Sequence, residues 1–229
     1  MKITALLPMK GHSERVPNKN LRPMCGVPLF FHVAATLQKS TLVDSIVINT
    51  DSETIAEQAT RSFPKVTIHW RPESICGDMV SMNTIIAHDI ALCPGEHFLQ
   101  THATNPLLTT GTVDRAIDAY FKGVDTYDSL FSVNRLQTRL YWESGQAVNH
   151  DPAELVRTQD LPPVFEENSL LFLFSKRSFA EAGHKRIGLA PQMFPTPPQE
   201  SVDIDIEHDF ILAETLMRLR GETRADKGR

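Results

Sequence analysis

The sequence predicts an α/β fold: one domain with a mainly parallel sheet and helices on both faces. Three observations carry this. Short apolar, β-compatible runs alternate with stretches of helical periodicity from Ile3 through Val133, which is the pattern of βαβ units. Right-handed crossovers between parallel strands place the connecting helices on both sides of the sheet. The chain has 229 residues, the length of one domain with a substantial core and room for a small appended piece.

The first run, Ile3 to Leu7, stops at Pro8 and reads as a buried strand. Helical periodicity begins only after Pro28, over Leu29 to Gln38. Ser45 to Asp51 is a second strand, and SETIAEQAT after it is a short helix that Asp51 or Ser52 can cap. Val66 to Trp70 is a third strand, Ser81 to Leu92 a helix, and HFLQ (97–100) a short fourth strand, followed by the loop THATNPLLTTG. Thr112 to Lys122 is helical and Ser129 to Val133 is a fifth strand. The rhythm then breaks. RLYWESGQAV predicts a small hairpin turning at Ser144–Gly145, residues 149–168 are polar and aperiodic, and Leu170 to Ser175 is a strong buried strand. Residues 191–200 hold four prolines, which excludes a regular helix. SVDIDI leads into an amphipathic helix, EHDFILAETLMRLR, and the tail GETRADKGR is expected to fray.

Composition narrows the function classes. Hydrophobic residues make up 41% and charged residues 22%, ordinary values for a globular chain. The net charge of −5 argues against a broad nucleic-acid-binding surface, so any anion site is local. No apolar run approaches ~18 residues, the length needed to span a membrane. Cys25, Cys76 and Cys93 are odd in number, with no C-x-x-C and no legible signal peptide, and read as reduced thiols of a cytoplasmic protein. The histidines form no H-E-x-x-H, which gives no support to zinc hydrolysis.

Ligands on parallel sheets bind beyond the carboxyl ends of the strands, so the loops after Leu7, Trp70 and Gln100 are the candidate site. The first is the most informative. About twenty residues between Pro8 and Pro28 have neither period, and loops of that length are usually functional or disordered. Lys10, Arg15, Lys19 and Arg22 are basic and only Glu14 is acidic. Gly11 and Gly26 allow sharp turns or close approach to a ligand, and Ser13, Asn18 and Asn20 add donors. Backbone N–H groups and cations after a strand suit a polyphosphate. A solvated basic surface loop is the simpler reading of the same charges. Neither G-x-x-x-x-G-K-[ST] nor G-x-G-x-x-G occurs there.

Near the other end, SVDIDIEHDF places Asp203 and Asp205 at i and i+2. On a strand that spacing puts both carboxylates on one face. Two hard oxygen ligands near a polyphosphate suit Mg²⁺, which takes a few carboxylates plus phosphate oxygens and water. The competing reading is sheet-edge alternation, with Val202, Ile204 and Ile206 inward and the aspartates in water.

The string PMKGHSERVPNKNLRPMCGVPL resembles the opening signature of the acylneuraminate cytidylyltransferase family, through Pro8, Lys10, Gly11, Ser13, Pro17, Lys19, Asn20, Gly26 and Pro28. Lys10 stands where arginine is usual, His12 where glycine is usual and Glu14 where lysine is common, so the chain looks like a side branch. The resemblance implies a Rossmann-like nucleotidyltransferase fold. It also implies transfer of CMP from CTP to the anomeric hydroxyl of a nonulosonic or related 2-keto-3-deoxy sugar acid, with release of pyrophosphate. Lys10, Gly11, Ser13, Lys19 and Asn20 would hold the nucleotide, with Lys10 and Lys19 acting on the phosphates.

Further stretches match in order along nearly the whole chain. HWRPE and the following GDMVS resemble the family's cytosine-contacting segment, which implies that role for Arg71 and Ser81. Cytosine offers O2 and N3 as acceptors and arginine only donates. The alternative is a surface arginine and a serine that caps the next helix. The loop QTHATNPLL implies sugar-side roles for His102 and Asn105, although Leu108 replaces a usual arginine. RTQDLPPVFEENS implies sugar-acid contacts from Arg157, Gln159 and Asn168, with Phe165 replacing tyrosine and Ser169 replacing glycine. The family further implies Mg²⁺ on Asp203 and Asp205, and a homodimer in which a hairpin and loop around 134–160 form the dimerisation element. Two rivals share parts of this pattern: a metal-dependent glycosyltransferase, whose D-x-D normally lies mid-chain, and a non-catalytic CTP-binding module.

Overall fold

The computed structural model describes residues 2–13 and 16–226. Glu14 and Arg15, two of the charges counted in the first loop, and the last three residues of the tail lie outside the described residues. The elements are β1 (Ile3–Leu6), β2 (Pro23–Met24), β3 (Val27–Pro28), α1 (Leu29–Lys39), β4 (Val43–Thr50), α2 (Glu53–Ser62), β5 (Val66–Trp70) and α3 (Met82–Leu92). They continue with β6 (His97–Gln100), α4 (Thr110–Gly123), β7 (Ser129–Leu136), β8 (Val164–Ser175), α5 (Lys176–Glu181), β9 (Pro191–Pro195) and α6 (Glu207–Asp226).

Seven strands form one sheet in the order β5-β4-β1-β6-β8-β7-β9. β1 pairs in parallel with β4 and β6, β4 with β5, and β7 with β9. Only β8 runs against its neighbours β6 and β7, so the sheet is mainly parallel, as predicted. Alternate residues of one strand feed opposite faces. Ile3, Ala5 and Leu7 join a core with α1, α2 and α4, which contribute Phe30, Leu37, Ile55 and Ile117. Leu6 and Val47 point the other way, into a second core with Ile86 of α3, Phe98, Phe172 and Phe174. A third cluster packs Met24 and Leu29 against Ile204, Phe210 and Ala213, which seats the start of α6 on the small hairpin and the start of α1.

Three local readings change, and one, the exclusion of a regular helix at 191–200, is filled in. The first loop is not featureless: Lys19–Leu21 form a short 3₁₀ turn, and β2 and β3 form a hairpin. Its two central residues, Cys25 (φ 48°) and Gly26 (φ 87°), both lie at positive φ, as a tight hairpin turn whose twist matches its strands requires. The proline-rich 191–195 stretch is the edge strand β9, a position that tolerates missing amide donors. VDIDI is not a strand. Residues 201–205 have no regular structure and join no ladder; Ile204 N–H to the Thr104 carbonyl at 2.9 Å ties them down. Within it Ile204 is fully buried but Ile206 is half exposed, so the inward alternation fails at its last member. Lastly, α6 takes up the tail as far as Asp226 where fraying was expected. The predicted hairpin at Ser144–Gly145 is present, closed by the Trp142 amide on the Gln146 carbonyl at 2.8 Å. The three cysteines are free thiols.

Candidate active site

β1 and β6 are adjacent, but their connections diverge. The chain leaves β1 through α1 towards β4, and leaves β6 through α4 towards β7. Such a switch point opens a crevice at the strand ends. A cavity of about 390 Å³ lies there, lined by Pro8 to Lys10, His12, Ser13, Lys19 and Asn20 of the first loop, by Arg71 after β5, and by His102 to Thr104 after β6. The three loops selected from the sequence therefore meet at one site.

The first loop is folded against the sheet by its own polar groups. The Met9 amide donates to the Asn49 carbonyl, extending the β1 pairing past Pro8. Asn20 is buried and its Nδ2 donates to the Lys10 carbonyl at 3.0 Å, so it shapes the loop behind the cavity. Gly11 donates its amide to Asp51 Oδ1 at 2.7 Å, and a Cβ there would lie 2.9 Å from Cβ of Ser52. Its missing side chain thus allows close packing on the β4–α2 turn; Gly11 itself is not among the lining residues. The Lys10 ammonium pairs with Asp78 across the cavity. Lys19 donates to the Ile204 carbonyl at 2.5 Å.

Arg71 presents its guanidinium to the cavity while two of its nitrogens are held from behind. Nε donates to Asn49 Oδ1 at 2.8 Å and Nη2 to the Asn49 carbonyl at 3.1 Å. Burial lowers its pKa, with Asp51, Cys76 and Asp89 opposing. Ser81 is the N-cap of α3, its Oγ accepting from the Thr84 amide at 3.3 Å. Its neighbours Val80 and Met82 line the cavity and Ser81 does not, so the capping role is the one the geometry displays.

His102 lines the other side. Its Nε2 faces Gln100 Nε2 at 3.1 Å and Arg186 Nη1 at 3.3 Å. Both neighbours are donors, so that nitrogen accepts and the ring proton sits on Nδ1. Burial, then the charges of Arg186 and Lys19, push the His102 pKa down to about 3. The imidazole is therefore neutral at any physiological pH. Asn105 is fully buried and supports the loop: its Nδ2 faces the Val202 carbonyl at 3.5 Å, and its own carbonyl accepts from the Leu108 amide.

The Asp203–Asp205 segment runs beside this wall. Burial holds the Asp203 carboxyl above the ordinary carboxylate range; the charge of Asp205 adds to this, and the Thr104 hydroxyl and Lys19 oppose it. Asp203 Oδ1 is buried with no hydrogen-bond partner. An orphaned carboxylate oxygen next to a second carboxylate is a hard donor set that fits Mg²⁺. No three His, Cys, Asp or Glu side chains gather as an all-protein metal cage among the described residues, and a site completed by phosphate oxygens does not need one.

The model of the cytidylyltransferase family matches residues 4–219 of this sequence. The chain belongs to that family. N-acylneuraminate cytidylyltransferase A of Danio rerio is 30% identical over 233 residues, covering 98% of this chain and 53% of the relative. CMP-N,N'-diacetyllegionaminic acid synthase of Legionella pneumophila is 26% identical, covering 97% of this chain and 99% of the relative. The chain thus spans about half the length of the two Danio rerio relatives it matches. Among solved structures, a CMP:2-keto-3-deoxy-manno-octonic acid synthetase complexed with CTP superposes with a TM-score of 0.68 at 12% identity, covering 96% of this chain and 100% of that one. A 4-diphosphocytidyl-2C-methyl-D-erythritol synthase from Anaerococcus prevotii gives 0.66 at 10% identity, covering 95% and 96%. At those identities the likeness is one of fold, and the fold is the Rossmann-like one of these nucleotidyltransferases.

Within this chain the third group of candidates stands apart from the cavity. Arg157 is exposed and pairs with Asp160 at 2.6 Å. Gln159 is exposed and its backbone carbonyl accepts from Gln137 at 2.6 Å. Asn168 is buried on β8, donating to Asn134 Oδ1 at 2.9 Å and Thr196 Oγ1 at 2.8 Å. None of the three lines the cavity. Residues missed from sequence are Asp78, Asn49, Asp89 and Arg186. Asp78 lay in a stretch already singled out. The other three reach the site only through tertiary contacts, and no local spacing marks them.

Proposed function

We propose that the protein transfers CMP from CTP to the anomeric hydroxyl of a nonulosonic acid or a related 2-keto-3-deoxy sugar acid, releasing pyrophosphate. The observation that carries this reading is the meeting of Lys10, Lys19 and Arg71 in one cavity at the β1–β6 switch point, beside the Asp203–Asp205 segment, in a chain of the cytidylyltransferase family. The names of its relatives, an N-acylneuraminate cytidylyltransferase and a CMP-N,N'-diacetyllegionaminic acid synthase, support CTP and a sugar acid as the substrates.

The sugar hydroxyl attacks the α-phosphorus in line, the new P–O bond forming as the bond to pyrophosphate breaks. Catalysis of such a transfer is mostly positioning and neutralisation of developing charge. Lys10, once it exchanges Asp78 for phosphate, and Lys19 supply positive charge, with Gly11, Ser13 and Asn20 shaping their loop. Asp203 and Asp205 would hold Mg²⁺, which would supply further neutralisation at the phosphate oxygens. Arg71 donates to the cytosine, and Ser81 fixes the start of the helix beside it. His102 is a neutral donor through Nδ1 on the sugar side, on a loop that Asn105 stiffens. Arg157 and Gln159 are assigned to the sugar acid through a homodimer: the 134–160 segment exposes Tyr141 and Trp142, and its loop would reach the partner's site, whereas Asn168, buried on β8, anchors the base of that segment through Asn134. A cytoplasmic location accords with three free thiols and with the lack of any helix long and apolar enough to cross a membrane among the described residues.

The test is pyrophosphate release from CTP with a panel of sialic, legionaminic, pseudaminic and octulosonic acids. Sugar-dependent pyrophosphate is the expected result. Nucleoside diphosphate release from a nucleotide-sugar donor supplied in place of CTP, with no pyrophosphate formed from CTP, would mark a glycosyltransferase, and CTP binding without turnover a sensing module.

A further inference from the structure

A buried chain of hydrogen bonds lies behind Arg71. Asp89, on α3, is fully buried, as is Asn49 near the end of β4. Asp89 Oδ1 accepts from Asn49 Nδ2 at 2.7 Å and faces His69 Nδ1 at 2.9 Å, while Oδ2 has no partner. A carboxylate is costly in such a place, since an apolar side chain of similar size would serve packing at least as well. Its orientation of Asn49 gives it a use. An ionised carboxylate only accepts and a guanidinium only donates. Asn49, caught between them, has one compatible orientation: its NH₂ towards Asp89 and its carbonyl oxygen towards Arg71. That oxygen takes Arg71 Nε at 2.8 Å, and the Asn49 backbone carbonyl takes Nη2 at 3.1 Å. One residue thus grips an edge of the guanidinium from behind and leaves Nη1 for the cavity.

We infer that Asp89 is a positioning residue which, through the amide of Asn49, fixes the orientation in which Arg71 meets the nucleobase. This rests on the reading of the cavity as a CTP site. The neighbouring His88 also faces the Asn49 amide, its Nδ1 lying 3.2 Å from Nδ2, but the closer partners of Asp89 come from β4 and β5, so no local spacing marks the role.

The test is a double-mutant cycle read by CTP binding and by steady-state kinetics. Asp89→Ala is expected to raise the CTP Kd and KM about tenfold and to leave the sugar-acid KM unchanged, the effect of losing one charged hydrogen-bond partner. Asp89→Asn keeps the volume and an acceptor for Asn49, and should stay within about threefold of wild type. In an Arg71→Ala background, Asp89→Ala should add nothing to the CTP Kd, because its route to the base is already gone. Asn49→Ala should behave like Asp89→Ala in both backgrounds, and it carries the test if the aspartate variant does not fold. Additive losses in the cycle, or a reduced folded fraction with unchanged CTP Kd, overturn the inference. A wild-type protein that fails to bind CTP overturns the reading of the site, a separate result that removes the inference with it.

Discussion

Lys19 donates to the carbonyl of Ile204 at 2.5 Å, across 185 positions of sequence. The contact joins the first loop to the middle of the Asp203–Asp205 pair. It brings the ammonium of Lys19, a residue that lines the cavity, against the backbone of the Asp203–Asp205 segment, whose side chains do not line it, and it gives Lys19 a structural duty beside its electrostatic one.

Lys19→Met therefore acts on two readouts. Catalytic efficiency should fall at least about tenfold, since a charge-assisted contact is worth roughly 1.5–3 kcal/mol. The thermal midpoint should also fall by several degrees, at about 2–4 °C per kcal/mol for a chain of this size. An unchanged midpoint would show that the Ile204 contact does nothing for the fold.

Asp203→Asn and Asp205→Asn keep shape and remove one charge each. Both should weaken the Mg²⁺ dependence of turnover, and added Mg²⁺ should recover part of the rate. Asp203 should suffer more, because its buried oxygen lacks any other partner. Wild-type activity in excess chelator, or an unshifted Mg²⁺ curve in both variants, would leave the pair without a metal.

Arg71→Ala should erase the preference for CTP over UTP. Uracil presents N3–H where cytosine presents an acceptor, and an arginine donor opposes it. Equal turnover of UTP by the wild type would take Arg71 away from the base.

The His102 pKa, held at about 3, makes stability depend on pH. Between about 6.5 and 3 the unfolded chain binds a proton at this histidine that the folded chain does not, so stability rises with pH across that window. Acidification below about 6.5 should cost at most about 1.4 kcal/mol per pH unit from this group. His102→Gln should flatten the slope of the thermal midpoint between pH 6 and 4, and an identical slope in both proteins would contradict the assignment.

Arg157→Ala should raise the sugar-acid KM and leave CTP affinity close to wild type. Arg157 does not line the cavity of its own chain, so on the homodimer reading the effect requires a partner subunit and should vanish in a monomeric variant. Sedimentation of the wild type as a monomer would remove the assignment.

The alternating half of the fold was legible because its strands are short apolar runs with clear stops, as at Pro8 and Asp51, and because both faces of the sheet are covered. Prolines concealed β9: they exclude a helix at 191–200 without announcing an edge strand. VDIDI was misread because alternation implies a strand only where a neighbour can pair with it; here Thr104 and Asn105 tie the segment down with isolated contacts. At the site, Lys10, Lys19 and Arg71 could be found from their places after strands. Asn49 and Asp89 could not, since a buried asparagine in a strand and an aspartate in a helix carry no local signature of a shared partner.

The prolines of β9 have a consequence for how the molecule behaves in a crowd. The Ala190 carbonyl and the Thr196 amide both point inwards, to Asp128 and Val133. By the two-residue period of a strand, positions 191, 193 and 195 turn their backbone groups outwards. Two of those three are prolines, so Met193 alone offers an N–H to an approaching strand. That border of the sheet is a poor template for a foreign chain, and self-association by strand addition is blocked there. A Pro191→Val, Pro195→Val variant would restore the missing donors and expose a sticky ribbon, trading an inert border for a nucleus of aggregation.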